Sequence, residues 1–346
     1  DTPNSSDPDN SSSDTGSGES SSSGITLSGI SQLGPIEAAS VQAFSIDEDG
    51  EIDETCSEPD STDVNGSWEL KVTCSDKDIV IISSGGFHYN ESDGEKVQNS
   101  DNDKIQTFIP EFDGEVAQQL EAVGGVGIDP VTNTASKVII EKKQPGISYK
   151  EIYEAAVPAF TETFGVRPFG PCSNPNKAGN QIDPEREDDK KMFVVAGFNK
   201  MIKDNFGGEC DELAVEKLLT KDLIDFKQDG KIGSGTDAVV ISSLTNEEFQ
   251  KILGDVDCNF DKVREVFLSA KDSVESGTGS ESLMKHIQDG AEAFAAEKLV
   301  NLELELKVEP VENPLDMTQF PEYDEKRDRA HADYDPTKDK RVPIYN

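Results

Sequence analysis

The residues best suited to chemistry in this chain are carboxylates and amides spaced two apart, and the chemistry they suit is capture of a hard cation. Asp255, Asp257, Asn259 and Asp261 alternate like the first half of an EF-hand loop, and calcium takes several such oxygens at short range. The sixth position is Phe260 where the turn needs Gly, and the twelfth is Val266 where a Glu would close the cage, so this is not a standard EF-hand. Asp225 and Asp229, before Gly230, form a second candidate; Asp47, Asp49 and Asp53 form a third; Asp183, Glu185, Glu187, Asp188 and Asp189 form a fourth. At each place the plainer reading is a solvated turn, or a helix N-terminus where acidic charge is favourable. Calcium is the expected cofactor.

Catalytic patterns are missing. There are three histidines, His88, His286 and His331, and no HExxH, GxSxG or P-loop spacing. Ser282 and Lys285 spell S-x-x-K without its companion motifs. Paired carboxylates are too abundant for one pair to be singled out as an acid/base couple. A non-enzyme is expected.

Charge narrows the partners. Asp and Glu number 70 against 32 Lys and Arg, a net charge of −38 over 346 residues. That field opposes nucleic acid and anionic lipid and attracts cations. No apolar run of membrane-spanning length occurs. The chain opens Asp1-Thr2-Pro3. This leads us to expect export with a removed signal peptide, and membrane attachment only through a lipidated Cys upstream. The five cysteines, none in a CxxC pair, disfavour zinc and redox motifs. Export favours bridges over buried thiols. Cys56 and Cys74, in one β-rich segment, are expected to pair. Cys172 and Cys210 form the next pair, leaving Cys258.

The elements that must position these groups follow from periodicity. Residues 1–24 are almost all Ser, Asp, Gly, Asn, Pro, Thr and Glu, a low-complexity tail that cannot bury enough apolar surface to order itself. Residues 25–112 read as β. Val41, Ala43 and Ile46 interleave with polar residues, Trp68, Leu70 and Val72 alternate with Ser67, Glu69 and Lys71, and Ile79–Ile82 suits a central strand. Gly turns at Asp49-Gly50, Asn65-Gly66, Gly85-Gly86 and Asp93-Gly94 separate these runs, predicting an antiparallel sandwich.

Residues 113–300 turn helical. Thr132 or Asn133 is expected to cap a helix through Ala135, Val138 and Ile139. Ser148 with Glu151 reads as a capping box for a helix kinked at Pro158 and ended by Gly165. After a loop at 166–186, a long helix runs to Gly207-Gly208. Further helices are expected at 211–226, 246–253, 259–273 and 281–298, together a bundle. In residues 301–346, Leu302, Leu304, Leu306 and Val308 alternate with charge like a strand that has no local partner, and a Pro-rich arm follows.

The run Gly34-Pro35-Ile36, Ala39, Val41-Gln42-Ala43-Phe44, then Thr62-Asp63-Val64-Asn65-Gly66-Ser67-Trp68-Glu69-Leu70 and Ser84-Gly85-Gly86-Phe87-His88-Tyr89, resembles the transthyretin-like (carboxypeptidase-regulatory-like) module of bacterial cell-surface proteins and lipoproteins. Asp129-Pro130-Val131-Thr132 is similar to the step that opens the helical domain behind such modules. The resemblance covers about a quarter of the chain. It implies an Ig-like sandwich acting as a spacer, adhesive unit or subunit, and is nearly silent on activity. The whole therefore reads as an α+β multidomain protein: an N-terminal antiparallel β-sandwich, a C-terminal helical bundle and extended terminal arms. The expected function is a non-catalytic extracellular subunit of a bacterial cell-surface filament or layer. It would join copies of itself through its arms and be stabilised by calcium. The alternative is a monomeric lipid-anchored surface protein that binds a partner or glycan.

Overall fold

The computed structural model describes residues 24–89, 96–176, 181–206, 212–225, 231–232, 238–254, 258–265, 267 and 283–298. The expected strand at 302–308 and both terminal arms lie outside them.

Two sheets carry the N-terminal part. In the smaller, β1 (Ile25–Ser31) lies between an antiparallel β5 (Ser67–Val72) and a parallel β10 (Val126–Ile128). The larger has the order β3 (Ile52–Thr55), β2 (Ser40–Ile46), β6 (Lys77–Ser84), β9 (Lys104–Phe112), all antiparallel, with the short β4 (Asp60–Ser61) also on β2. A separate ribbon pairs β7 (Phe87–Tyr89) with β8 (Lys96–Gln98).

Side-chain alternation decides what each face meets. Leu27, Trp68, Leu70 and Val72 of the smaller sheet share one apolar cluster with Val41, Ala43, Ile79, Ile81, Ile105 and Ile109 of the larger. The opposite face of the larger sheet, with Phe44, Ile46, Val80, Ile82 and Phe108, packs against the helices. The unbroken run Ile79–Ile82 is thus buried on both sides, as expected of a central strand. Ile46 does not share a face with Val41 and Ala43. It stands an odd number of positions away, next to a register shift at Ser45/Ile46, and turns to the helical side.

Residues 113–128 also belong with the sheets, beyond the expected boundary at 112. Helix α1 (Gly114–Ala122) is capped by Asp113, whose side chain accepts from Glu115 N and Val116 N, and Ala117 and Leu120 enter the inter-sheet cluster. The chain then returns as β10. Helices α2 (Pro130–Glu141), α3 (Tyr149–Phe164), α4 (Glu187–Phe206), α5 (Glu212–Asp222), α6 (Asn246–Leu253) and α7 (Leu283–Lys298) follow. The described chain is a mixed α+β protein with open antiparallel sheets.

Local signals placed most helix ends correctly. Ser148 and Glu151 form the expected capping box, and Gly165 closes α3 in the left-handed conformation at φ 70°. Thr245 and Glu248 form a second capping box on α6. The cap of α2 differs: it is Asp129, with Pro130 at the first helical position, and Thr132 and Asn133 lie inside the first turn. Helix α3 continues through Pro158, which sits on its exposed side. Helices α4 and α7 approach backbone to backbone at Gly197 and Gly290, where a Cβ on Gly197 would lie 2.2 Å from the Ile287 carbonyl oxygen.

Cys56 and Cys74 are disulfide-bonded, with Cα atoms 5.1 Å apart, as expected. The second expected pairing is corrected. Cys172 is a buried thiol, and Cys258, expected to be left over, is in a disulfide. Cys210 lies outside the described residues. Spacing along the chain carries no information about which distant cysteines the helical packing brings together.

Candidate functional site

The acidic candidates are drawn into local backbone bonding rather than into a cage. Asp47 Oδ1 accepts from the amides of Asp49 and Glu51 at 2.9 and 3.0 Å, which builds the β2–β3 turn. Asp53 faces Lys77, with Oδ2 3.4 Å from Nζ. Asp47, Asp49 and Asp53 do not gather closely enough here to share an ion. Asn259 Oδ1 accepts from Lys262 N at 3.2 Å, and Asp261 pairs with Arg264 at 2.6 Å, so both serve the short helix at 260–265. Asp255, Asp257 and Asp229 lie outside the described residues, as does the side chain of Asp225 in the single turn Leu223–Asp225. In the fourth group Asp183 accepts from Glu185 N at 3.0 Å, Asp189 accepts from Asp183 N at 2.8 Å, and Asp188 accepts from Ser173 Oγ at 2.9 Å. That is a helix N-terminus. Among the described residues, the one cluster of three His, Cys, Asp or Glu close enough to share an ion is Glu54, Cys56 and Cys74. Its two sulfurs are bonded to each other, so it cannot ligate.

Two buried ionic clamps, neither legible beforehand, hold the helices to the sheets. In the first, Lys191 of α4 is buried and its Nζ lies 2.7 Å from Asp129 Oδ2, 2.8 Å from Thr132 Oγ1, 2.6 Å from the Pro168 carbonyl and 2.8 Å from the Gly170 carbonyl. An ammonium has three hydrogens to share among these four oxygens. In the second, the buried carboxylate of Glu216 on α5 accepts from Asn133 Nδ2 at 3.0 Å, Thr134 Oγ1 at 3.1 Å, Lys137 Nζ at 3.0 Å and Thr220 Oγ1 at 2.9 Å. Asn133 Oδ1 in turn accepts from the Gln106 amide of β9 at 3.0 Å, covering that sheet edge with α2. The step Asp129-Pro130-Val131-Thr132 was visible in the sequence. Its partners Lys191 and Glu216, far along the chain, carried no local mark.

Above the second clamp lies a cleft of about 580 Å³, between the β2–β3 turn and helices α2, α5 and α6. This size suits a small ligand, and a junction between layers is a usual place for one. Its lining carries Glu48, Asp49 and Glu51 from the turn, and Lys137, Glu141, Lys143, Lys217 and Lys221 from the helical side. The turn is fixed by Tyr149, whose hydroxyl donates to the Asp47 carbonyl at 3.2 Å. Burial first, then the carboxylates of Asp78, Asp47, Asp49 and Glu48, push the Tyr149 pKa up and keep it a neutral donor.

No catalytic constellation involves the described histidines. His88 is buried on β7 with Nδ1 3.2 Å from Asn99 Oδ1, and burial holds its pKa down at about 4 against the Asn99 bond that raises it. A folded-state pKa below the unfolded value of about 6.5 makes the unfolded chain bind the proton first. The His88 contribution to stability is therefore complete above pH 6.5 and lost as pH falls through 4, by about 3 kcal/mol in total. Urea titrations across that window should show the slope in wild type and a flatter one in His88→Gln. Equal slopes would mean that the ring charges without penalty. His286 is half-exposed on α7, Lys285 pairs with Asp289 at 2.5 Å, and Ser282 and His331 lie outside the described residues.

No protein family, no curated protein and no solved structure matches this chain. The resemblance to transthyretin-like modules thus rests on its own residues.

Proposed function

We propose that this chain is an exported, non-catalytic structural subunit that assembles with copies of itself at a bacterial cell surface. In this reading the two facing sheets are a transthyretin-like sandwich, the helices a bundle, and the ends connecting arms. The observation that carries it is the edge of the larger sheet. β3 has β2 as its one strand partner among the described strands, and all four of its residues are exposed, Ile52 by 52%. Such an edge is a template for a further strand, and the alternating run Leu302–Val308 of a neighbouring copy is a candidate to fill it. Disulfide bonding at Cys56–Cys74 supports an oxidising, extracellular location.

Calcium enters through charge rather than through a cage. Asp53 and Glu54 both lie on this edge, shared by the single Lys77 at 3.4 and 2.7 Å, and the chain carries −38 overall. Divalent cations would screen repulsion between copies. The test is electron microscopy and sedimentation of the full chain, with and without calcium. Polymers are expected that are lost in Thr55→Pro, which removes an N–H on the side of β3 away from β2, and on deletion of 299–346. A monomer under all conditions would remove the reading.

A second reading, a monomeric lipid-anchored surface protein that binds a ligand, is favoured by the two-signed cleft.

A further inference from the structure

Charges on the two walls of the cleft do not reach each other. Glu48, Asp49 and Glu51 make no ion pair with a lysine among the described residues, although four lysines line the same cleft of about 580 Å³. Two of those lysines are already committed: Lys137 to Glu216 at 3.0 Å, and Lys221 to Glu141 at 2.5 Å. Neither of the other two makes an ion pair among the described residues, although the charge of Lys143 is felt by the Asp78 carboxylate. Lys217 Nζ donates to the Leu253 carbonyl at 3.2 Å, and Lys143 Nζ stands 5.2 Å over the Tyr149 ring.

Neither wall is free to collapse onto the other. Gly50 at the turn tip sits so close to α2 that a Cβ there would come within 2.7 Å of Ile140 Cγ2, and the Tyr149 hydroxyl holds the turn from below. The lysine wall rests on Glu216 and the α6 end. A cleft lined by lysines and by turn carboxylates that make no ion pair with them is complementary to a molecule that carries both charges.

We propose that this cleft binds a short zwitterionic ligand, a free amino acid or short peptide. Its carboxylate meets Lys143 and Lys217, and its ammonium meets the carboxylates of the β2–β3 turn. A purely anionic ligand would leave the turn carboxylates repelled, and a purely cationic one would do the same to the lysines. Ile140 and Ile252 line the same space and suit an aliphatic middle. The proposal deepens the ligand-binding reading, and its failure is distinguishable from failure of that reading's rival because ligand binding is read by calorimetry and assembly by sedimentation.

The full chain is titrated by calorimetry with tri-alanine, N-acetyl-tri-alanine, tri-alanine amide and free alanine. Tri-alanine is expected to bind in the millimolar range or tighter. Blocking either end should weaken it by at least about tenfold, the loss of one charge-assisted hydrogen bond. Lys143→Met/Lys217→Met and, separately, Glu48→Gln/Glu51→Gln should each weaken tri-alanine to a similar extent while the thermal midpoint holds. Binding by free alanine equal to that by tri-alanine would identify the amino acid as sufficient; tighter binding by tri-alanine would identify the peptide. Equal binding of the blocked and unblocked peptides, unchanged binding in both variant pairs, or no binding by any probe would each overturn the proposal. None of these results bears on polymer formation, which is read separately by sedimentation.

Discussion

Lys191→Met is expected to destabilise the folded chain by about 3–5 kcal/mol, the usual cost of breaking one side of a buried ion pair. Methionine matches the stem of lysine and fills the same space, so the loss reports the missing ammonium rather than a cavity. What remains is a buried Asp129 carboxylate, together with the Pro168 and Gly170 carbonyls that Lys191 had bridged. Asp129 Oδ1 would still accept from Thr132 N at 3.0 Å, so the cap of α2 survives in part. For the same reason Asp129→Asn/Lys191→Met should be more stable than the sum of the two single losses by at least about 1 kcal/mol. Denaturant titrations of the four proteins measure this cycle. A Lys191→Met variant within about 1 kcal/mol of wild type would mean that water replaces the ammonium, and that α4 is not held to the β10–α2 junction by charge.

Glu216→Leu should cost about the same, about 3–5 kcal/mol, for the converse reason. Four donors converge on that carboxylate, and those of Asn133, Thr134 and Thr220 come from buried residues. Each buried donor left without an acceptor costs about 1–3 kcal/mol, and partial relaxation toward the cleft lowers the sum. Glu216→Gln keeps the volume and one acceptor and should cost clearly less. A local readout separates this clamp from general destabilisation. Asn133 also accepts from the Gln106 amide, so hydrogen exchange at Gln106 should rise in Glu216→Leu more than at Ile81, whose strand β6 lies inside the sheet. Uniform acceleration at both sites would show that Glu216 holds the whole fold and not the α2–β9 contact in particular.

How much of this was legible depends on the range of the interaction. The Trp68-Leu70-Val72 face, the capping box of α3 and the Cys56–Cys74 bridge follow from neighbours a few residues apart or in adjoining strands, and were readable; the second capping box, Thr245 with Glu248 on α6, has the same local spacing and was missed. Ile46 lies on the helical side, away from Val41 and Ala43, because it stands an odd number of positions from them, and alternation alone supplies that parity. Thr132 or Asn133 was taken for the cap of α2 because Ser, Thr, Asn and Asp all suit that position; the cap is Asp129, whose buried partner Lys191 is far away in sequence. The acidic turn at Asp47 looked like a cation loop because carboxylate spacing does not say whether the oxygens face an ion or the turn's own amides.

From the amino-acid sequence alone come the acidity, the α+β order of elements and the absence of known catalytic spacings, since composition and short-range periodicity are properties of the chain itself. Tertiary structure alone decided that Cys258 and not Cys172 is bridged, where the two carboxylate–lysine clamps form, and that four lysines and an acidic turn line one cleft. The physical reason is that contacts between residues tens of positions apart depend on how whole helices and sheets bury their apolar faces, and the position of a charge is a consequence of that packing.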